Sequence, residues 1–217
     1  MRLWTLGPLA CAIALAQNQD KPPQYIFGTT VVSTSGFEGK IYELEDGADR
    51  LPDFARRKPI GSIYTKTLNV WPQQFNEGFP GVSDRFEWFG IDYTGRIWID
   101  EAGVYRFSLL SDDGARISVD GKVVVEMDGQ HSPTGATGAV RLTRGSHDVR
   151  VSYFQGPRDV VALVVAVAAP GKPWKILDTD DFPPPKDPSE WRQGEAEVAR
   201  MGTNKYSPPP APRRRRR

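Results

Sequence analysis

The sequence predicts an all-β fold, an antiparallel β-sandwich followed by a short C-terminal helix and a disordered tail. Short segments rich in β-branched and aromatic residues recur between Gly-containing turns. Helical spacing of apolar residues is almost absent before Pro183. Both observations are typical of two packed antiparallel sheets. The 217 residues leave room for one medium domain with appendages.

The strand predictions follow the side-chain pattern. Residues 25–32 are apolar and β-branched, and residues 86–99 are rich in aromatic side chains. Residues 62–70 and 104–110 alternate, as half-buried strands do. Residues 160–167 are apolar on both faces, which favours a strand in the middle of a sheet.

The turn predictions rest on glycine-containing pairs. Asp120-Gly121 separates two strand-like segments over residues 115–127 and predicts a hairpin with a two-residue turn. Arg144-Gly145 predicts a second hairpin, over residues 140–154. Thr94-Gly95 predicts a bend.

The N-terminus has the pattern of an export signal. Residues 1–16 combine one positive charge, an apolar run and a small-x-small end, so we expect cleavage before Gln17. The apolar run is too short for a stable membrane anchor, and no other stretch reaches membrane length. A buried N-terminal helix and a lipid anchor at Cys11, the one cysteine of the chain, are the alternatives. The expected location is therefore secreted, extracellular or periplasmic.

The predicted domain organisation is a leader over residues 17–36, a sandwich over 37–182 and a tail over 183–217. The tail begins as a proline-rich linker, continues as a helix over 188–201 and ends in five arginines. Setting these arginines aside reduces the 28 basic residues to 23, against 27 acidic. The mildly acidic body does not favour a nucleic-acid partner.

From Val104 onward the chain resembles the protective-antigen domain family, PA-14. The match covers roughly residues 62–167 and depends on several motifs in the right order. These are Gly103-Val104-Tyr105-Arg106-Phe107, Ser111-Asp112-Asp113-Gly114, Val119-Asp120-Gly121-Lys122, Asp128-Gly129-Gln130-His131, residues 142–153 and Ala162-Leu163-Val164.

The resemblance implies a secreted β-sandwich that often binds carbohydrate. In the family's fungal lectins, the aspartates at the positions of Asp112 and Asp113 hold a calcium ion through a cis peptide, and the ion ligates sugar hydroxyls. Calcium needs six to eight oxygen ligands. The amide of Gln155 stands where those lectins have a shorter asparagine. The loop residues Gln130 and His131 complete the expected ligand-binding set.

An alternative for Asp112 and Asp113 is a purely structural turn, in which the carboxylates accept backbone N–H bonds. Both interpretations stay open from the sequence. His147 lies in a segment that matches the family's fold pattern, so we expect a structural role for it.

The sequence predicts a binding protein and no enzyme. It lacks the nucleophile-elbow, zinc-protease and phosphate-loop motifs. The favoured function is a lectin-like module for a glycan or cell-surface polysaccharide, and calcium is its cofactor under the interpretation in which Asp112 and Asp113 hold a metal. The alternatives are a cell-surface assembly protein that contacts itself or a protein partner, and a domain that serves polysaccharide hydrolysis.

Overall fold

The structure is a computed structural model that describes residues 26–29, 36–158, 160–187 and 189–191. Most of these residues lie in antiparallel strands. The strands are β1 (Phe37–Glu43), β2 (Gly61–Thr65), β3 (Asn69–Gln73), β4 (Phe89–Ile99), β5 (Gly103–Asp112), β6 (Ala115–Val119), β7 (Lys122–Met127), β8 (Thr134–Leu142), β9 (Gly145–Gln155), β10 (Val161–Ala168) and β11 (Lys175–Ile176). Two short 3-10 helices span Phe54–Arg56 and Thr179–Asp181.

The strands form two sheets that pack face to face. The first sheet has the order β2-β1-β4-β9-β6-β7 and the second β11-β10-β5-β8, with β3 also paired to β10. Alternate side chains of both sheets point between them and form one apolar core, including Ile91 of β4, Phe107 of β5 and Leu163 of β10. The predicted all-β sandwich is confirmed.

Strand β10 is the most thoroughly buried strand of the second sheet. It pairs with β5 on one side and with β3 and β11 on the other. Seven of its eight residues are buried, and only Ala166 is half-buried. A strand with partners on both edges and apolar residues on both faces is what the pattern of residues 160–167 predicts.

The prediction of one strand over residues 62–70 is wrong. The chain leaves the first sheet after Thr65 and enters the second at Asn69, so that β2 and β3 belong to different sheets. The Thr65 hydroxyl donates a 2.7 Å bond to the backbone oxygen of Thr67 and accepts a 3.3 Å bond from the Thr67 backbone N–H. This local pairing turns the chain, which side-chain alternation alone does not reveal.

The predicted hairpin over residues 140–154 is also wrong. Strand β8 pairs with β5 in the second sheet, whereas β9 pairs with β4 and β6 in the first. The turn at Arg144-Gly145 therefore crosses between the sheets. The predicted bend at Thr94-Gly95 is absent as well, because β4 continues through it in register with β9. A Cβ at Gly95 would lie 2.7 Å from the Phe37 ring, so close packing explains this glycine.

The hairpin predicted at Asp120-Gly121 is confirmed. Strands β6 and β7 pair in antiparallel fashion on either side of it. Both turn residues have positive φ, 50° for Asp120 and 72° for Gly121. These angles match the twist of the flanking strands.

We expect Gly121→Ala to lower the free energy of unfolding by about 1 kcal/mol, because the Cβ of alanine is sterically unfavourable at positive φ. No atom lies within 4 Å of a Cβ built there, so the loss is purely conformational. Urea denaturation measures it. Gly121→Asn is the control and should lose less, since asparagine tolerates this conformation. Equal losses for both variants would contradict this explanation.

The ends of the domain are only partly described. Phe27, from the predicted leader, is buried in the core, and its carbonyl accepts a 2.6 Å bond from the Tyr93 hydroxyl. Thr29 forms an isolated bridge with Tyr64. Residues 26–28 of the predicted strand form no strand in the structure. Residues 25 and 30–32 lie outside the described residues, as do the export signal and the arginine tail. Residues 189–191 are helical, and the remainder of the predicted helix over 188–201 also lies outside.

No helix within the described ranges has the length and apolar character needed to cross a membrane.

Candidate functional site

The candidate site lies at one end of the sandwich, where β5 passes into β6. Ser111 and Asp112 are the last residues of β5, and Asp113 and Gly114 connect them to β6. The Asp112–Asp113 peptide bond is cis. Strand β9 ends beside it at Gln155, and the loop after β7 brings Gln130 and His131 to the same place.

Asp113 ties three segments of the chain together. Its Oδ1 accepts a 2.9 Å bond from the backbone N–H of His131, and its Oδ2 accepts a 2.8 Å bond from that of Gly156. The residue is only 5% exposed. These are the bonds that the structural-turn interpretation predicts for Asp113. Each carboxylate oxygen can accept more than one bond, so a ligand could still bind here.

Burial sets the ionisation of Asp113. Desolvation raises the pKa of this carboxyl group, and the bonds from Gly156 and His131 offset part of the shift. A raised pKa means that folding favours the protonated form. The stability that Asp113 contributes is therefore complete below the ordinary aspartate pKa and is lost as the pH rises through the pKa of the folded protein.

Tyr153 contacts the loop from the buried side. Its hydroxyl lies 2.7 Å from the backbone oxygen of Asp112 and 2.6 Å from Oε1 of Gln155. Burial raises the pKa of Tyr153 well above its ordinary value, so the hydroxyl stays a donor at neutral pH. This residue was not among the predicted site residues, although it continues the inward alternation of Val149 and Val151 along β9.

Gln155 lies beneath the loop, with 1% of its surface exposed. Its Nε2 donates to the carbonyl oxygens of Pro157 at 3.1 Å and Val160 at 3.3 Å. Together with the Tyr153 contact, these bonds engage both ends of the amide. The geometry gives Gln155 a role in shaping the loop, and its predicted contact with a ligand stays a prediction.

Gly114 completes the Ser-Asp-Asp-Gly motif for a packing reason. A Cβ at this position would lie 2.4 Å from Cε1 of Phe154. The backbone oxygen of Gly114 also accepts a 2.9 Å bond from the Phe154 backbone. The motif therefore ends in glycine because β9 passes too close for a side chain.

The loop over residues 128–131 forms the exposed rim of the site. Gln130 is exposed, and its Nε2 donates to the Ala48 carbonyl at 3.0 Å. Asp128 Oδ1 accepts a 2.7 Å bond from the Leu51 backbone. His131 is half-buried, and its Nδ1 lies 3.0 Å from the Ser132 oxygen. The structure thus brings all five predicted residues to one end of the sandwich, with Gln130 and His131 at its surface.

The oxygen set can supply part of a calcium shell. Asp112 and Asp113 contribute hard carboxylate oxygens, the type that Ca²⁺ prefers. Within residues 26–191, as far as they are described, no group of three His, Cys, Asp or Glu side chains could hold a metal. The amide of Gln155 is already engaged. Backbone carbonyls, water and ligand hydroxyls would have to complete a calcium shell here.

His147 lies far from this loop, at the opposite end of β9. Its Nδ1 lies 2.7 Å from Asp120 Oδ2, and its Nε2 lies 2.9 Å from the Thr143 oxygen. The ring is 7% exposed and joins the β6–β7 turn to the start of β9. This placement agrees with the predicted structural role.

Comparison with known proteins identifies the fold. Residues 74–179 match the PA14 domain family. The PA14 sugar-binding domain from an RTX adhesin is similar, with a TM-score of 0.58, 21% identity and coverage of 68% of this chain and 97% of that one. The PA14 domain of the MpAFP antifreeze protein has a TM-score of 0.57 and 20% identity over 67% of this chain and 88% of that one.

A curated relative matches by sequence. The anti-sigma-I factor RsgI3 of Acetivibrio thermocellus is 26% identical over 92 residues, which is 42% of this chain and 14% of the relative. The match thus spans a small part of that protein's length. The sandwich topology, the Ser-Asp-Asp-Gly loop and the family match lead to the same conclusion, that this chain contains a PA14 domain.

Proposed function

We propose that this chain is a secreted or periplasmic binding module that recognises carbohydrate at the Asp112–Asp113 loop, with calcium bridging protein and sugar. The observation that carries the proposal is the fixed position of Asp113, whose two oxygens are each held by a backbone N–H from a different loop. Binding to groups that are already ordered costs less conformational entropy. The adhesin domain with the same fold is described as sugar-binding, which supports this ligand class.

A ligand would reach the proposed site through the exposed rim formed by the loop over residues 128–131. Gln130 and the half-buried His131 lie on the same loop, whose backbone contacts Asp113, and the side-chain oxygen of the exposed Gln130 can accept bonds from sugar hydroxyls. Calcium would engage Asp112 and Asp113 and supply the charge that draws hydroxyl oxygens in. We propose no catalytic role for these residues.

A glycan array tests the proposal. We expect the wild-type chain to retain one or more glycans in the presence of calcium, and Asp113→Ala to weaken retention by about tenfold or more, since charge-assisted bonds contribute about 1.5–3 kcal/mol. Asp180→Ala is the control, because this half-exposed surface carboxylate pairs with Lys66 in the part of the chain that the structure describes. Circular dichroism should show the folded spectrum for both variants.

The possible outcomes distinguish a failure of the calcium step from a failure of glycan binding at the loop. Equal retention with and without a chelator would overturn the calcium step, and the Asp113→Ala variant would then show whether the retained glycan is bound at the loop. Retention by Asp113→Ala equal to that of the wild type would overturn the site itself. Absence of any bound glycan, together with concentration-dependent self-association in light scattering, would favour the assembly alternative.

A further inference from the structure

A second pocket lies on the first sheet, toward the end opposite the Asp112–Asp113 loop. It is a cleft open to solvent with a volume of about 500 Å³, within the range of about 300–1,000 Å³ that is common for ligand pockets. In the β4–β9 pair, Phe89 faces Gln155 at the loop end, whereas Arg96 faces Asp148 at the pocket. Seven residues of extended strand separate these positions by roughly 23 Å. The pocket is therefore not a part of the candidate site.

The walls of this pocket come from two parts of the chain. Strands β4 and β9 supply one wall, with Arg96, Trp98, Ser146 and Asp148. The segment after residue 179, where the family match ends, supplies the other wall. Its lining residues are Phe182, Pro184 and Trp191. The pocket thus depends on an extension that the matched part of the family does not include.

The extension is anchored to the sheet. The backbone N–H of Trp98 donates to the Phe182 carbonyl at 3.0 Å. The indole N–H of Trp191 donates to the Pro185 carbonyl at 2.9 Å, and its ring packs 6.3 Å from that of Trp98. These contacts fix Trp191 over the sheet while 48% of its surface stays exposed.

The pocket also contains polar groups that can form hydrogen bonds with a ligand. Arg96 Nε donates to Asp148 Oδ1 at 2.8 Å, with side chains that are 75% and 70% exposed. The guanidinium carries four further N–H groups, and the carboxylate has further acceptor capacity. The pair offers donors and acceptors side by side without net charge. Ser146 adds a hydroxyl.

The combination fits a neutral sugar. The C–H face of a pyranose ring is apolar and packs on an aromatic ring such as that of Trp191, while its hydroxyls both donate and accept hydrogen bonds. An anionic ligand would gain little, because Asp148 neutralises Arg96. We propose that this pocket is a second, metal-independent binding site for a neutral sugar unit. The proposal shares the ligand class of the proposed function but uses a different site.

The test uses the full chain and a panel of neutral hexasaccharides, with binding measured by calorimetry in the presence of EDTA. We expect the wild type and Asp113→Ala to bind at least one member of the panel. Trp191→Ala should weaken this binding at least about tenfold, and Trp191→Phe should restore most of it. Trp174→Ala is the matched control, because Trp174 is 41% exposed and lies outside the pocket.

The remaining results decide against the proposal. Equal affinity of Trp191→Ala and the wild type in EDTA would overturn it, as would absence of any hexasaccharide binding by the wild type in EDTA. By contrast, loss of only the calcium-dependent signal in Asp113→Ala, with the EDTA-resistant signal unchanged, would support the pocket as a site separate from the loop.

Discussion

Gly138→Ala is expected to destabilise the sandwich by about 3 kcal/mol, at the upper end of the usual cost of overpacking. Gly138 lies on β8 opposite Phe107 of β5, and its inner face meets β7 of the other sheet. A Cβ there would lie 1.9 Å from the backbone oxygen of Val124. A backbone atom held in a strand cannot rotate away as a side chain does, so the two sheets would have to separate locally.

Urea denaturation followed by tryptophan fluorescence measures this loss. Gly135→Ala, on the same strand, is the control, because its nearest contact for a Cβ is the Leu109 oxygen at an ordinary 3.7 Å. We expect the control to match or slightly exceed wild-type stability, since alanine loses less entropy than glycine on folding. Similar midpoints for both variants would refute the close approach of β7 and β8.

Tyr153→Phe is expected to lower the free energy of unfolding by about 2–3 kcal/mol. The hydroxyl it removes sits between the Asp112 oxygen and the Gln155 side chain, both of them buried. An acceptor left without a donor in the protein interior costs about 1–3 kcal/mol. We also expect weaker glycan retention, because the same hydroxyl supports the Asp112–Asp113 loop.

Thermal denaturation and the glycan array measure the two effects. Tyr93→Phe is the control, since the Tyr93 hydroxyl is equally buried but bonds only the Phe27 carbonyl among the contacts described. It should lose about 1 kcal/mol and keep its glycan binding. A Tyr153→Phe protein that retains glycan as well as the Tyr93→Phe protein would show that the loop does not need this support.

The features predicted correctly from the sequence are local ones. The Asp120-Gly121 turn is specified by two residues with positive φ, and the burial of β10 follows from its own composition. The incorrect predictions concern which strands pair. Side-chain alternation gives the same pattern whether β8 joins β9 or β5, because each strand needs only a buried face. Partner choice depends on contacts far away in the sequence.

In the candidate site, too, local features were predicted from the sequence and features that depend on distant contacts were not. The Ser-Asp-Asp-Gly motif located the loop, because its residues are consecutive. The support from Tyr153 and the close approach of Phe154 to Gly114 depend on where β9 enters the sheet. The pocket beside Trp191 had no sequence signal, since its walls are distant in the chain and meet only after folding.

The position of β9 has a consequence for synthesis of the chain. It joins β4 to β6 and so connects the two halves of the first sheet. A ribosome adding about 5–20 residues per second needs roughly 2 to 9 seconds to pass from Ile99 to Gly145. During that interval the free edge of β4 has no partner, and a strand edge in that state is a template for pairing with other chains. Until β9 is made, this edge of β4 is therefore where we expect a partly synthesised chain to pair wrongly with other chains.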